Sequence, residues 1–296
     1  MKYATITPVS NTLIKSFAFT SKDEILSKIA RSASAFAKYK QTSIEERQAL
    51  MYKVADVMEK RKEEAAKTVS LEMGKPVAHA RAEVEGAANS LRQFADLAPA
   101  ALETREYDNA GLKRALSVYQ PLGPIFTIMP WNFPFFLPMK NAIPTMLAGN
   151  TVVFKPAPCV PQTGLLLEDI MNEGGFNGGE YQTVLAGNDH TETIISHPDI
   201  RGVAFTGSPM TGGYIASVAG KYIKKSLLEL GGSDAFVVLD DADVQFAAEQ
   251  GATGRLWNSG QACVNAKRFI VHKDIYDSFK KKLGEVVSGF KVGDPT

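Results

Sequence analysis

Cys263 closes the run Asn258-Ser259-Gly260-Gln261-Ala262-Cys263, a thiol among small and polar residues. A thiolate so placed can attack an electrophilic carbonyl carbon; a small buried hydrophobe is the alternative that residue type leaves open. Four upstream segments carry groups that such chemistry needs. Asn132 lies in Pro130-Trp131-Asn132-Phe133-Pro134, where an amide between two prolines donates to a developing oxyanion or merely makes a turn. Lys155 precedes Pro156-Ala157-Pro158 and either donates to a ligand hydroxyl or phosphate or simply ends a strand. Thr206-Gly207-Ser208 leads into a helical stretch, so its amides and the helix dipole suit a pyrophosphate. It lacks the Lys-Ser/Thr of a P-loop and the Gly-x-Gly-x-x-Gly spacing, and a plain turn explains it as well. Glu229, with Leu230-Gly231-Gly232 behind it, is a carboxylate able to approach a reaction centre, or a solvated surface acid.

These segments need elements to position them. The first hundred residues read as helices. Ser21 with Glu24 forms a capping box ahead of Ile25, Ile29, Ala33 and Phe36. A long amphipathic stretch runs over 43–73 and stops at Gly74 and Pro76, and a third helix covers 82–103. A short strand is expected over 113–120. From there, apolar runs at 125–129, 151–154, 182–185, 202–205, 225–229 and 235–239 alternate with helical segments at 139–147, 164–172, 192–197 and 211–219. That rhythm predicts a doubly wound parallel α/β sheet covered on both faces. Ligands of such sheets sit beyond the carboxyl ends of the strands, where the loaded segments fall.

Composition narrows the classes. A formal net charge of +1 with 22% charged residues argues against a nucleic-acid or membrane-surface binder. Cys159 and Cys263 are too few for a disulfide framework, which points to a reducing, cytoplasmic setting. His79, His190, His197 and His272 show no ligand spacing, so no metal site is expected. No apolar run reaches the roughly 18 residues of a membrane span.

The five loaded segments, taken in order, resemble the aldehyde dehydrogenase family. The matching runs are Pro-Trp-Asn-Phe-Pro (130–134), Leu-Ala-Gly-Asn-Thr-Val-Val-Phe-Lys-Pro (147–156), Phe-Thr-Gly-Ser (205–208), Glu-Leu-Gly-Gly (229–232) and Gly-Gln-x-Cys (260–263). The 34 residues from Glu229 to Cys263 also fit that family. The resemblance implies an NAD(P)-dependent oxidation of an aldehyde through a thiohemiacetal and a thioester. In it Cys263 is the nucleophile, Asn132 and the Cys263 backbone amide hold the oxyanion, and Glu229 is the general base. Lys155 would hold the adenine-side ribose and Ser208 the pyrophosphate, with Trp131, Thr206, Gly207, Leu230 and Gly231 lining the cofactor. Pro158 stands where NAD-specific relatives often have a glutamate, so NADP should be tolerated and even preferred. The implied architecture is a cofactor domain of residues 1–102 and 122–231, an arm at 103–121 used in homo-oligomers, and the start of a second α/β catalytic domain at 232–296.

Finer details, Lys140-Asn141-Ala142-Ile143-Pro144, Leu-Glu-Leu-Gly-Gly-Ser-Asp (228–234) and Asn-Ala-Lys-Arg-Phe-Ile-Val (265–271), resemble the bacterial succinate-semialdehyde dehydrogenases. A distal substrate carboxylate needs a cation. Lys140 stands where many relatives carry arginine, and lysine lacks the bidentate fork. A second family arginine site is Trp257 here, with Arg255 two residues earlier either binding substrate or serving structure. Family chains continue well past the cysteine. The expectation is therefore that about a third of the usual length is missing. That would leave apolar faces of the strand 269–272 and helix 274–290 uncovered, so the 296-residue stretch alone would be a poor catalyst.

Overall fold

Tyr3 and Thr5 are buried while Ile6 is exposed, a period-two pattern that makes a strand rather than a helix. The computed structural model describes residues 3–108, 111 and 113–295. The chain opens with an antiparallel hairpin, β1 (Tyr3–Thr7) and β2 (Thr12–Phe17), turned at Asn11 with φ 54°. This corrects the all-helical reading of the first hundred residues. The signal was present in the alternating Tyr-x-Thr-x-Thr and the Pro/Asn turn, but it is too short to dominate a helical window.

Four helices follow: α1 (Lys22–Tyr39), α2 (Ile44–Lys60), α3 (Lys62–Met73) and α4 (Val77–Ala101). Capping boxes at Ser21/Glu24 and Ser43/Glu46 start the first two. The single helix expected over 43–73 breaks at Arg61, with φ −97° and ψ 13°. Charge explains the site of the break. Lys60 ends one helix and Glu63 and Glu64 begin the next, each complementing a helix dipole end. Two short strands, β3 (Arg105–Tyr107) and β4 (Ala115–Ser117), pair antiparallel in the arm. The strand expected over 113–120 is shorter than that, and residues 109, 110 and 112 lie outside the described set.

The remainder of the first unit, which runs to Glu229, is strand and helix in turn. It contains β5 (Pro124–Ile128), α5 (Phe136–Leu147), β6 (Thr151–Lys155), α6 (Pro161–Glu173), β7 (Tyr181–Thr183), α7 (Thr191–Ser196), β8 (Gly202–Thr206), α8 (Pro209–Lys221) and β9 (Lys225–Glu229). The five strands form one parallel sheet ordered β7-β6-β5-β8-β9. Alternate side chains serve opposite faces. Val152, Phe154 and Ala204 join the core built with α2 to α6, whereas Phe126, Val153, Val203 and Phe205 join the one built with α1, α7 and α8. All five residues of β6 are buried, which a strand covered on both faces requires. Each such apolar side chain contributes about 1.5–3 kcal/mol.

The second unit spans Leu230–Pro295. In it β10 (Asp234–Val238) and β11 (Ala266–Val271) pair in parallel, with α9 (Val244–Leu256) and α10 (Tyr276–Ser288). Its core is Val238, Ala248 and Phe279, with Phe236 and Phe269 packed on them.

Candidate active site and its cofactor edge

The strand order reverses direction at β5. Going from β5 to β6 and β7 the chain moves one way; β8 and β9 lie on the other side. The crevice beyond β5 and β8 is therefore the topological switch point, the usual ligand site of an open α/β sheet. Register aligns the first four of the loaded segments along that edge. Ile128 is level with Lys155 and with Phe205, and Thr206 is level with Glu229. Gly207 N–H donates to the Glu229 carbonyl at 3.0 Å, so the third and fourth segments are tied together.

Lys155, 5% exposed, ends β6. Its ammonium lies 5.7 Å from the ring centre of Tyr3, whose hydroxyl donates to the Pro156 and Ala186 carbonyls. The N-terminal hairpin thus clamps the segment that presents the lysine. Among the described residues no carboxylate pairs with Lys155, and burial pulls its pKa down to about 8. A small cavity of about 250 Å³ opens beside it, walled by Ile128, Thr191, Thr211, Tyr214 and Ile215. A larger cleft of about 880 Å³ near Arg47 and Tyr119 touches none of the site residues.

Ser208 caps α8, accepting from Thr211 N–H at 3.3 Å. Gly207 is dictated by contact: a Cβ there would meet the Phe205 ring at 2.5 Å. Removing the side chain lets the backbone turn tightly into the helix, whose first amides face the crevice end of the sheet.

Asn132 is half-buried in the loop between β5 and α5. Two residues that the sequence reading passed over hold this loop. Lys75 and Glu83 form an ion pair with both side chains 1% exposed. Lys75 donates to the Asn132 carbonyl at 3.0 Å and lies 4.0 Å over the Phe133 ring. Glu83 accepts from Phe135 N–H at 2.8 Å and Phe136 N–H at 3.0 Å. Burial lowers the Lys75 pKa, and the Glu83 charge opposes that shift. In the sequence, Gly74-Lys75-Pro76 reads only as a helix stop, and its partner eight residues on gives no local signal. Trp131 is 40% exposed, and Lys140 is exposed on α5.

In the second unit Cys263 is an exposed free thiol. The turn before it is left-handed for three consecutive residues, Asn258 (φ 53°), Ser259 (φ 57°) and Gly260 (φ 78°). A non-glycine residue in that region costs roughly 1–2 kcal/mol, so the surroundings must hold it. Asn265 Nδ2 donates to the Arg255 carbonyl at 2.7 Å and to the Trp257 carbonyl at 3.1 Å. Arg255 donates to the Gly260 carbonyl at 3.3 Å, which occupies part of its guanidinium inside the turn. Lys267 bridges the Gly232 carbonyl at 2.6 Å and the Cys263 carbonyl at 2.9 Å. Leu230 and Gly231 are exposed at the start of this unit. Cys159 is also an exposed free thiol. Packing around its sulfur and then the Glu72 charge push its thiol up to about 11, where it is a poor nucleophile.

Comparison with known proteins agrees with these motifs. The aldehyde dehydrogenase family matches residues 1–296. A succinate-semialdehyde dehydrogenase [NADP(+)] from Mycobacterium tuberculosis is 41% identical over 298 residues, covering 100% of this chain and 65% of that protein. A solved succinic semialdehyde dehydrogenase from Streptococcus pyogenes, in complex with NADP+, matches with TM-score 0.95 at 33% identity, over 99% of this chain and 65% of that one. A salicylaldehyde dehydrogenase from Pseudomonas putida G7, complexed with salicylaldehyde, matches with TM-score 0.95 at 30% identity, over 100% of this chain and 62% of that one. The chain thus spans 65% of the length of the curated relatives it matches first. On its motifs, its sheet and its match from end to end, the chain belongs to the aldehyde dehydrogenase family.

Proposed function

We propose that this chain carries the nucleophile and the nucleotide edge of an enzyme that oxidises succinate semialdehyde to succinate with NADP. One observation carries the reading: the sheet register sets the segments of Asn132, Lys155, Ser208 and Glu229 along one crevice. The residues fit the cofactor. A buried, carboxylate-free cation suits a 2′-phosphate or ribose hydroxyl, and the capped start of α8 suits a pyrophosphate. Pro158, with no charge to repel a 2′-phosphate, supports NADP over NAD. When bound, the nicotinamide group supplies an acceptor for hydride. Trp131, Thr206, Gly207, Leu230 and Gly231 complete the cofactor contacts in this reading.

The chain's own residues then do the following. The Cys263 thiolate adds to the aldehyde carbon, and the carbonyl π pair moves to oxygen. Asn132 Nδ2 and the Cys263 amide stabilise that oxyanion. Loss of the carbonyl-carbon hydride leaves a thioester on Cys263. Glu229 takes a proton from water, which attacks the thioester, and the thiolate leaves with the acid formed. Lys140 and Arg255 are the cations proposed to meet the distal carboxylate. The exposed apolar arm, with Tyr107 52%, Val118 54% and Tyr119 53% exposed, supports a homo-oligomer. The two free thiols suit a cytoplasmic setting.

Reduced-cofactor formation by the full protein tests this, with succinate semialdehyde and butanal against NADP and NAD. We expect kcat/KM at least roughly tenfold higher for the semialdehyde, and higher with NADP than with NAD. Equal turnover of both aldehydes overturns the substrate assignment, and strong NAD preference overturns the cofactor assignment. Absence of thiol-sensitive turnover would instead mark a non-catalytic relative. A broader aldehyde range is the second reading, favoured by Trp257, 48% exposed, at the family's arginine site.

A further inference from the structure

The loop carrying Asn132 is held from below by a buried charge network that its own sequence does not announce. Lys75 is fully buried and Glu83 nearly so, at 0% and 6% exposed. Burying two charges is a poor route to stability, since apolar side chains of the same volume serve a core as well or better. This pair instead spends its hydrogen bonds on one short segment. Lys75 fixes the carbonyl of Asn132 itself and the face of the Phe133 ring. Glu83 fixes the next amides along, those of Phe135 and Phe136, where α5 begins. Asn132 and the segment that runs from it into α5 are therefore pinned by the same pair.

The two residues are also delivered rigidly. Gly74, with φ 77°, ends α3 and turns the chain so that Lys75 enters the interior. Glu83 lies on the buried face of α4, with Ala80, Val84 and Ala87.

We propose that Lys75 and Glu83 are a positioning pair that sets the direction of the Asn132 amide toward the reacting carbonyl oxygen. This rests on the reading of Asn132 as the oxyanion donor. Such donors act only when aimed, and a displacement near 1 Å costs as much as roughly 10²-fold in rate.

The test is a cycle in the full protein of Lys75→Met, Asn132→Ala and the double variant, with Glu83→Gln in parallel. Glu83→Gln keeps the shape and an acceptor for the α5 amides, so it carries the test if Lys75→Met does not fold. Folding is monitored by thermal melting, and the nucleotide edge by fluorescence titration with NADPH. The expected result is kcat reduced by up to about 10²-fold in Lys75→Met. KM for the aldehyde and the NADPH Kd should stay near the parent values. The double variant should be no slower than Asn132→Ala alone, because the aim of an absent amide has no effect. Losses that multiply in the double variant overturn the inference, as does unchanged kcat in a folded Lys75→Met alongside a slow Asn132→Ala. An Asn132→Ala protein with parental kcat overturns the oxyanion reading itself, and the positioning role with it.

Discussion

At the scale of single residues, Lys155 is a cation that folding strips of water without supplying a carboxylate from among the described residues. Its pKa falls from 10.5 to about 8. The sign follows from proton binding: between those values the unfolded chain holds more protons, so this group's contribution to stability rises with pH. Below about pH 8 the full penalty applies, on the order of 3 kcal/mol. Lys155→Met should therefore raise the melting temperature at pH 7, with the gain shrinking as pH climbs toward 10. The parent should lose NADPH affinity above about pH 8, and the same substitution should weaken NADPH binding and abolish that pH dependence. Melting curves and NADPH titrations across that range check both. The proposed catalytic set could be picked out because each of its members sits in a short, ordered run of unusual residues. Lys75, Glu83 and Lys267 were not, because each acts through backbone carbonyls or amides that only the fold brings near.

Among the elements, the end of α3 is the most constrained junction. Gly74 takes φ 77°, and a Cβ there would come within 2.8 Å of Pro8 Cγ in the turn after β1. Gly74→Ala should cost at least about 1 kcal/mol, from strain and from displacing the hairpin. It should also slow turnover, since Lys75 follows directly; a melting curve with kcat measured beside it checks both effects. Element boundaries read from sequence were best where chemistry marks them. Ser21/Glu24 announced a helix start and Gly74 a stop, and both are as expected. The break at Arg61 was missed because an amphipathic pattern continues across it. The opening hairpin was missed because its buried residues are few and partly polar, Tyr3 and Thr5, and hydrophobic periodicity does not weigh a buried threonine. That threonine is buried because its hydroxyl donates to Glu72 at 2.6 Å.

For the whole molecule, the two units have different reserves. The first has two extensive apolar cores, one on each sheet face. The second rests on Val238, Ala248 and Phe279, with Leu239, Phe246 and Ile270 exposed at 60%, 61% and 51%. Local opening free energy follows buried apolar content. Hydrogen exchange should therefore be faster in β10 and β11 than in β5, β6 and β8; equal protection would show that the second unit is braced by more than its own core. Doubly wound topology was readable from the alternation of strand and helix runs, but strand order was not. Nothing local in 124–128 says that β8 lies beside it.

That order turns the crevice into a ruler. Lys155 ends β6 and Ser208 follows β8, with β5 between them. Two strand spacings separate the pair of strand ends, about 10 Å. A free phosphate can satisfy one end only, whereas a ligand with two anionic or hydroxylated ends that far apart satisfies both at once. On the proposed reading of this edge, selection is thus by length before it is by charge, and a truncated nucleotide should lose the second anchor entirely rather than by degrees.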